Sequence, residues 1–349
     1  MDSVYCFAPE GISIVDTTEK RISKTIDAAG HSWADGIVAL DQKLIFINDV
    51  KGSQVIVLDL QKNEIIKQIP VGRGAIHIYL TPDGSEVWTH SDLEGAFYVI
   101  DVATLSNNVK VEASLTGKGH GKLLLHPELG DKAYATNSID SALHIVDIVN
   151  KKVTGTIGTS GHTHGRVYSS VSKHAYVSSG SDKLAIIDTQ TDRLLKEVDG
   201  GVQVSISKDG RTVIAANRKE GVLVVVDTLS DNVIGNIVCP GGPDYNLFFN
   251  SADGKKYAYS INVEGSNVTV QDLEEMKVVK TIGIGNIIIP KGFQHVHRSG
   301  VLTPSSLAVP SSATESLDVI DNETLNLNSI HLGTKVQQAL YVGDGSSAH

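Results

Sequence analysis

Two tripeptides place an imidazole two residues ahead of a cation: HGK at His120–Lys122 and HGR at His164–Arg166. Other histidines keep fixed distances from local landmarks. His120 lies seven residues before Pro127 and His297 seven before Pro304, while His31 and His120 each lie seventeen before an asparagine, Asn48 and Asn137. His77 sits five before Pro82, two residues further along the same kind of segment. His162 and His295 precede His164 and His297 by two residues each. Neutral imidazole suits copper, zinc, iron and nickel, and three or four imidazoles from separate strands close a tetrahedral site or leave one position open. The spacing therefore points to copper or zinc on some subset of His31, His77, His120, His164 and His297, with His162 and His295 at the rim. Lys122 and Arg166 beside them would favour an anionic ligand.

What gives these histidines common positions is a repeat. Eight strand-like runs end in aspartate, at Asp16, Asp59, Asp101, Asp147, Asp188, Asp227, Asp272 and Asp321, at intervals of 39 to 49 residues. A repeat of that length, all strand and turn, is the signature of a β-propeller. One unit shows the order: HGKLLL as innermost strand A, HPELGD as a turn, KAYATN as strand B, SALHIVD as strand C and KKVTGTI as strand D. Asp-Gly between apolar runs, as in TPDG, SKDG and SADG, is a hairpin signal. The expected fold is all-β, an eight-bladed propeller of four-stranded antiparallel blades spanning residues 1–349 as one domain. The chain starts in a strand B (VYCFA) and ends in an orphan strand (KVQQALYVG), so the C-terminal strand is expected to complete the N-terminal blade. Seven blades is the alternative, because Ile282–Ser312 is irregular. Strand A lines the central channel, and its side chains alternate with period two. On strict alternation His31, His120, His164 and His297 share one rung at the D–A face. His77, Lys122 and Arg166 then lie one channel-facing step deeper.

The bulk properties exclude several classes. With 41% hydrophobic residues the chain can bury a large core, and a net charge of −10 without a basic run disfavours nucleic-acid binding. No apolar run approaches the length of a membrane span. Two cysteines in distant blades, Cys6 and Cys239, make a disulfide improbable. The N-terminus lacks a signal-peptide pattern, so the expected location is periplasmic or otherwise extracytoplasmic as a mature chain, or cytoplasmic if no signal was removed. No P-loop, G-x-S-x-G or H-E-x-x-H occurs. The repeated aspartates read as turn acceptors for backbone amides, since eight copies cannot all be catalytic.

AYATN at Ala133–Asn137, with AYVSS and IAANR as degenerate copies, resembles the YVTN-type β-propeller repeat family across nearly the whole chain. That resemblance is specific for fold and nearly silent on function. Similar propellers include the d1-haem domain of cytochrome cd1 nitrite reductase and the histidine-lined copper propeller of nitrous oxide reductase. The histidine positions and these similar propellers together leave three readings. One is a metal carrier or sensor, or a metal-dependent oxidoreductase. The second is a tetrapyrrole-binding propeller, with Lys122 and Arg166 toward the carboxylates of the bound tetrapyrrole. The third is a scaffold that binds a protein partner or small ligand on its top face. In WD-type propellers a Gly-His before strand A is purely structural, and this chain has AGH, KGH and SGH. That network also uses a Trp-Asp strand end, and no WD dipeptide occurs.

Overall fold

In a computed structural model, which describes residues 3–286 and 300–343, the chain forms eight four-stranded antiparallel sheets, the blades of an eight-bladed β-propeller. Blade 1 pairs Gln338–Val342 (strand A) with Ser3–Ala8, Gly11–Asp16 and Arg21–Ile26 (strands B to D). Val342 lies opposite Ser3 and Gln338 opposite Phe7, so the C-terminal strand completes the N-terminal blade as the sequence predicts. Blades 2, 3 and 4 begin with strands A at Trp33–Val38, Ala75–Leu80 and Gly121–Leu124. Those of blades 5 to 8 are Thr163–Ser169, Gln203–Ile206, Pro243–Asn250 and Val301–Leu302. Among the described residues the helical content is two short 3-10 turns, Pro127–Leu129 and Ser312–Thr314.

The strands divide into two compact units, one holding blades 1, 2, 3 and 8 and the other blades 4 to 7, with the ends of two blade 3 strands counted in the second. Within the first unit the A strands of blades 8, 1, 2 and 3 are neighbours in that order; within the second, those of blades 4, 5, 6 and 7 are. The D strands sit at the opposite edge. Lys152–Gly158, Asn232–Val238 and Lys277–Gly283 alternate exposed and half-buried residues, as a one-sided edge strand should. Strands B and C are buried on both faces, hence their runs of Val, Ile and Ala. The apolar core lies between facing blades. Tyr134, Leu143, Tyr168, Val177 and Ile187 pack blade 4 on blade 5, and Phe7, Trp33, Ile45 and Ile56 pack blade 1 on blade 2.

The eight aspartates do the turn chemistry expected of them. Each ends a strand C and accepts backbone N–H groups two or three residues on, as Asp16 does from Thr18 and Glu19, Asp147 from Val149 and Asn150, and Asp321 from Glu323 and Thr324. Four residues after each aspartate comes a left-handed residue: Lys20, Asn63, Leu105, Lys151, Asp192, Asp231, Met276 and Leu325. None is glycine, so each C–D turn carries some backbone cost.

Three of these left-handed residues are also docking points. Tyr134, the tyrosine of AYATN, donates its hydroxyl to Asp192 in the C–D turn of blade 5, and Tyr176, from AYVSS, donates to Asp231 in that of blade 6. Tyr5 repeats the pattern with Asn63 at 3.0 Å. The motif tyrosine is thus a latch from one blade to the next.

Candidate metal centre

The rest of the motif holds the strands that carry histidines. Thr136 Oγ1, the threonine of AYATN, donates to the His164 carbonyl at 2.9 Å and accepts the Lys122 N–H at 3.2 Å. Asn137 donates its N–H to Thr163 Oγ1 at 2.9 Å and its side-chain amide to the Lys118 carbonyl at 3.1 Å. The His164 N–H is taken by Ser178 Oγ at 2.9 Å, and the His120 N–H by Ser138 Oγ at 3.2 Å. Backbone freedom at both histidines is therefore removed before any ligand arrives. The two rings stack, centroids 5.1 Å apart and planes within 19°. A proton on each would place two positive charges about 5 Å apart, a repulsion of about 3 kcal/mol at an effective dielectric near 20. Sharing one cation removes that conflict.

His120 and His164 are imidazoles of one unit brought ring to ring, and His77 is an inner-strand imidazole of the other unit; imidazole donors without a thiolate suit zinc or copper. His77 and His120 are buried and His164 is half-buried. The His77 carbonyl accepts Thr89 Oγ1 at 3.1 Å, and its Nδ1 lies 2.5 Å from Asp35 Oδ2.

The other predicted residues fall elsewhere. His31 Nδ1 pairs with Asp49 at 2.7 Å, and its ring packs on Trp33 with centroids 4.7 Å apart. Burial pushes the Asp49 carboxyl upward, but hydrogen bonds from His31, the Ser32 N–H and Gln54 outweigh it and hold the group below the usual carboxylate range. His162 is exposed, and its carbonyl accepts the Gly180 N–H. His295 and His297 lie outside the described residues. Lys122 donates to Gln203 Oε1 at 3.1 Å, and Arg166 sends Nε and Nη2 to the Leu123 carbonyl.

The ladder corrects the expected rungs. In blade 4 Gly121 faces Asn137 and Lys122 faces Thr136, without interruption. In blade 5 Thr163 faces Ser179, and the next pair is Arg166 with Val177, so a bulge takes up His164 and Gly165. Register therefore matches His120 with His162: their carbonyls accept the N–H groups of Ser138 and Gly180, the residues just past the paired strand B ends. Lys122 and Arg166 are likewise one step apart rather than equivalent. The bulge turns His164 onto the His120 ring, a contact that strict alternation would have assigned to equivalence. Gly165 makes the bulge possible, since its N–H reaches the Val202 carbonyl at 3.0 Å and a Cβ there would lie 2.3 Å from that oxygen.

Asp35 and Gln338 were not singled out together by the sequence. Asp35 interrupts the otherwise apolar WADGIV strand, which is the signal that could have marked it. His90 pairs with Asp92 at 3.0 Å, His144 with Asp140 at 2.9 Å and His174 with Asp231 at 2.9 Å. Asp244 is taken by Arg218. Both cysteines are free and buried. Among the described residues no helix is long and apolar enough to cross a membrane.

No protein-family model matches the chain, and no curated protein matches it either. Among solved structures it is similar to the dihydro-haem d1 dehydrogenase NirN in complex with DHE, with a TM-score of 0.77 and 15% identity over 99% of this chain and 76% of that one. It is also similar to AztD of Citrobacter koseri, with a TM-score of 0.71 and 13% identity over 100% and 99%. Hydrazine synthase of Kuenenia stuttgartiensis follows with a TM-score of 0.51 and 17% identity over 92% and 89%. At these identities the likeness is one of fold.

Proposed function

We propose that this protein binds zinc or copper through imidazoles of its inner strands, His120 and His164 in one unit and His77 in the other, and acts as a metal carrier or sensor. The observation that carries the reading is the stacked pair His120 and His164, ring centroids 5.1 Å apart, with each backbone N–H held by a serine hydroxyl. Neutral nitrogen donors that leave a coordination position open to water or a transferred ligand suit reversible loading. A carrier needs the ligands alone; an oxidoreductase also needs an electron route, and no second redox motif accompanies the histidines. Residues 1–349 are read as a single propeller domain serving that site.

The tetrapyrrole reading draws support from the likeness in fold to NirN, a dihydro-haem d1 dehydrogenase solved with DHE. Arg166 contacts the Leu123 carbonyl and Lys122 contacts Gln203 Oε1, so both cations have partners within the protein, and the metal-ion reading rests on the imidazoles. Elemental analysis of the purified full chain after equilibration with Zn²⁺ or Cu²⁺ tests the proposal. One ion per chain is expected, falling well below one in His120→Ala with His164→Ala. Unchanged stoichiometry and affinity in that double variant would refute the site, and a Soret-region band on reconstitution would favour the tetrapyrrole.

A further inference from the structure

His77 belongs to a relay that runs through three inner strands of one unit, and both His77 and Gln338 in it are buried. Its Nδ1 lies 2.5 Å from Asp35 Oδ2 in strand A of blade 2, and Asp35 Oδ1 accepts the Gln338 side-chain amide at 3.1 Å from strand A of blade 1. A shared bulge explains the meeting. Trp33 faces Asp49 and Gly36 faces Ile47 in blade 2; Ala75 faces Ser91 and Ile78 faces Thr89 in blade 3. Asp35 and His77 are thus the second residue of the same two-residue bulge in adjacent blades, and the two side chains leave their strands alike. An ionised carboxylate only accepts, so the Asp35 contact puts the ring proton on Nδ1 and the lone pair on Nε2.

We infer that Asp35 is a positioning residue that fixes His77 as an Nε2 donor, and that Gln338 holds Asp35 in place for it. This rests on the metal-binding reading above. A ligating histidine whose other nitrogen is held by a carboxylate is fixed in tautomer and ring orientation, and losing such a partner costs about 10–100-fold in metal affinity. Gln338 adds a consequence for the fold: the strand that completes the N-terminal blade also carries part of the support of the site.

Two measurements on the full chain separate this inference from the reading beneath it. Long-range proton–nitrogen spectra of metal-free, histidine-labelled protein report the His77 tautomer. Competition of Zn²⁺ against a chromophoric chelator reports affinity. Wild type is expected to show His77 as the Nδ1–H form, and Asp35→Ala to shift it toward Nε2–H and weaken Zn²⁺ binding about 10–100-fold, with Gln338→Ala in the same direction and smaller. An Nε2–H His77 in wild type overturns the inference. So does Asp35→Ala with affinity within twofold of wild type while His77→Ala loses it. If His77→Ala, His120→Ala and His164→Ala all leave Zn²⁺ binding unchanged, the metal reading falls, whereas the tautomer of the metal-free protein still decides whether Asp35 orients the ring. Asp35→Asn supplies both readouts if the alanine variant does not fold.

Discussion

The tyrosine latch between blades has an energy that the contacts allow us to work out. Tyr134 is fully buried, and its hydroxyl donates to an Asp192 carboxylate oxygen that also receives Lys132 Nζ at 2.7 Å. Tyr134→Phe keeps the ring packing and removes one hydrogen bond to a charged acceptor, a contact worth roughly 1.5–3 kcal/mol. The low end applies, because Lys132 stays on the carboxylate and the Asp192 side chain is 30% exposed to water. We expect a loss of about 1.5 kcal/mol. With an unfolding entropy of about 2.1 cal/mol/K per residue, a chain of 349 residues loses roughly 2 °C in Tm for that change. Urea unfolding of Tyr134→Phe, Asp192→Ala and the double variant gives the coupling directly, expected at about 1 kcal/mol. Tyr168→Phe is the control, since that hydroxyl meets the exposed Glu128 and should cost under about 0.5 kcal/mol. A Tyr134→Phe midpoint indistinguishable from wild type, or strict additivity with Asp192→Ala, would show that the motif tyrosine is a packing residue only.

Zinc at a free concentration one hundred times its dissociation constant should stabilise the wild type by about 2.7 kcal/mol, a rise of roughly 4 °C for a chain of this size. His164→Ala should lose that rise at the same free zinc in differential scanning fluorimetry; an undiminished shift would count against the His120–His164 pair as ligands. Acid should destabilise the fold. Backbone amides of Lys62, Thr104, Asn150 and Thr324, and the Thr191 hydroxyl, hold Asp59, Asp101, Asp147, Asp321 and Asp188 below the usual carboxylate range, and a Lys256 contact brings Asp209 to about 2. Carboxylates with depressed folded-state pKa values contribute stability that is present above about pH 4 and is lost as pH falls through the folded values. The urea midpoint should therefore drop from about pH 4 downward, and a rise on acidification would contradict the assignment. Lys20→Gly should stabilise by about 0.5 kcal/mol in the same assay, because Lys20 is exposed and sits at φ +54° where glycine is unstrained. A destabilised variant would mean that the lysine side chain contributes more than the strain it bears.

The propeller was legible from residues 1–349 because its determinants are local. An aspartate four residues ahead of a left-handed turn position recurs in all eight blades, Asp-Gly hairpins recur in TPDG, SKDG and SADG, and alternation recurs in the D strands Lys152–Gly158, Asn232–Val238 and Lys277–Gly283; each acts over three to six residues. The C-terminal strand pairing with Ser3–Ala8 followed from counting strands. The address of each histidine was legible only to within a bulge. One extra residue in a strand reverses which face every later side chain takes, and nothing in HGR as against HGK announces that the first bulges and the second does not. Tertiary structure alone decided that His31 would meet Asp49, that His164 would stack on His120, and that Asp35 and Gln338, 303 positions apart, would join behind His77. Turn chemistry is written along the chain, whereas a ligand set depends on which side chains separate strands bring within a few ångströms.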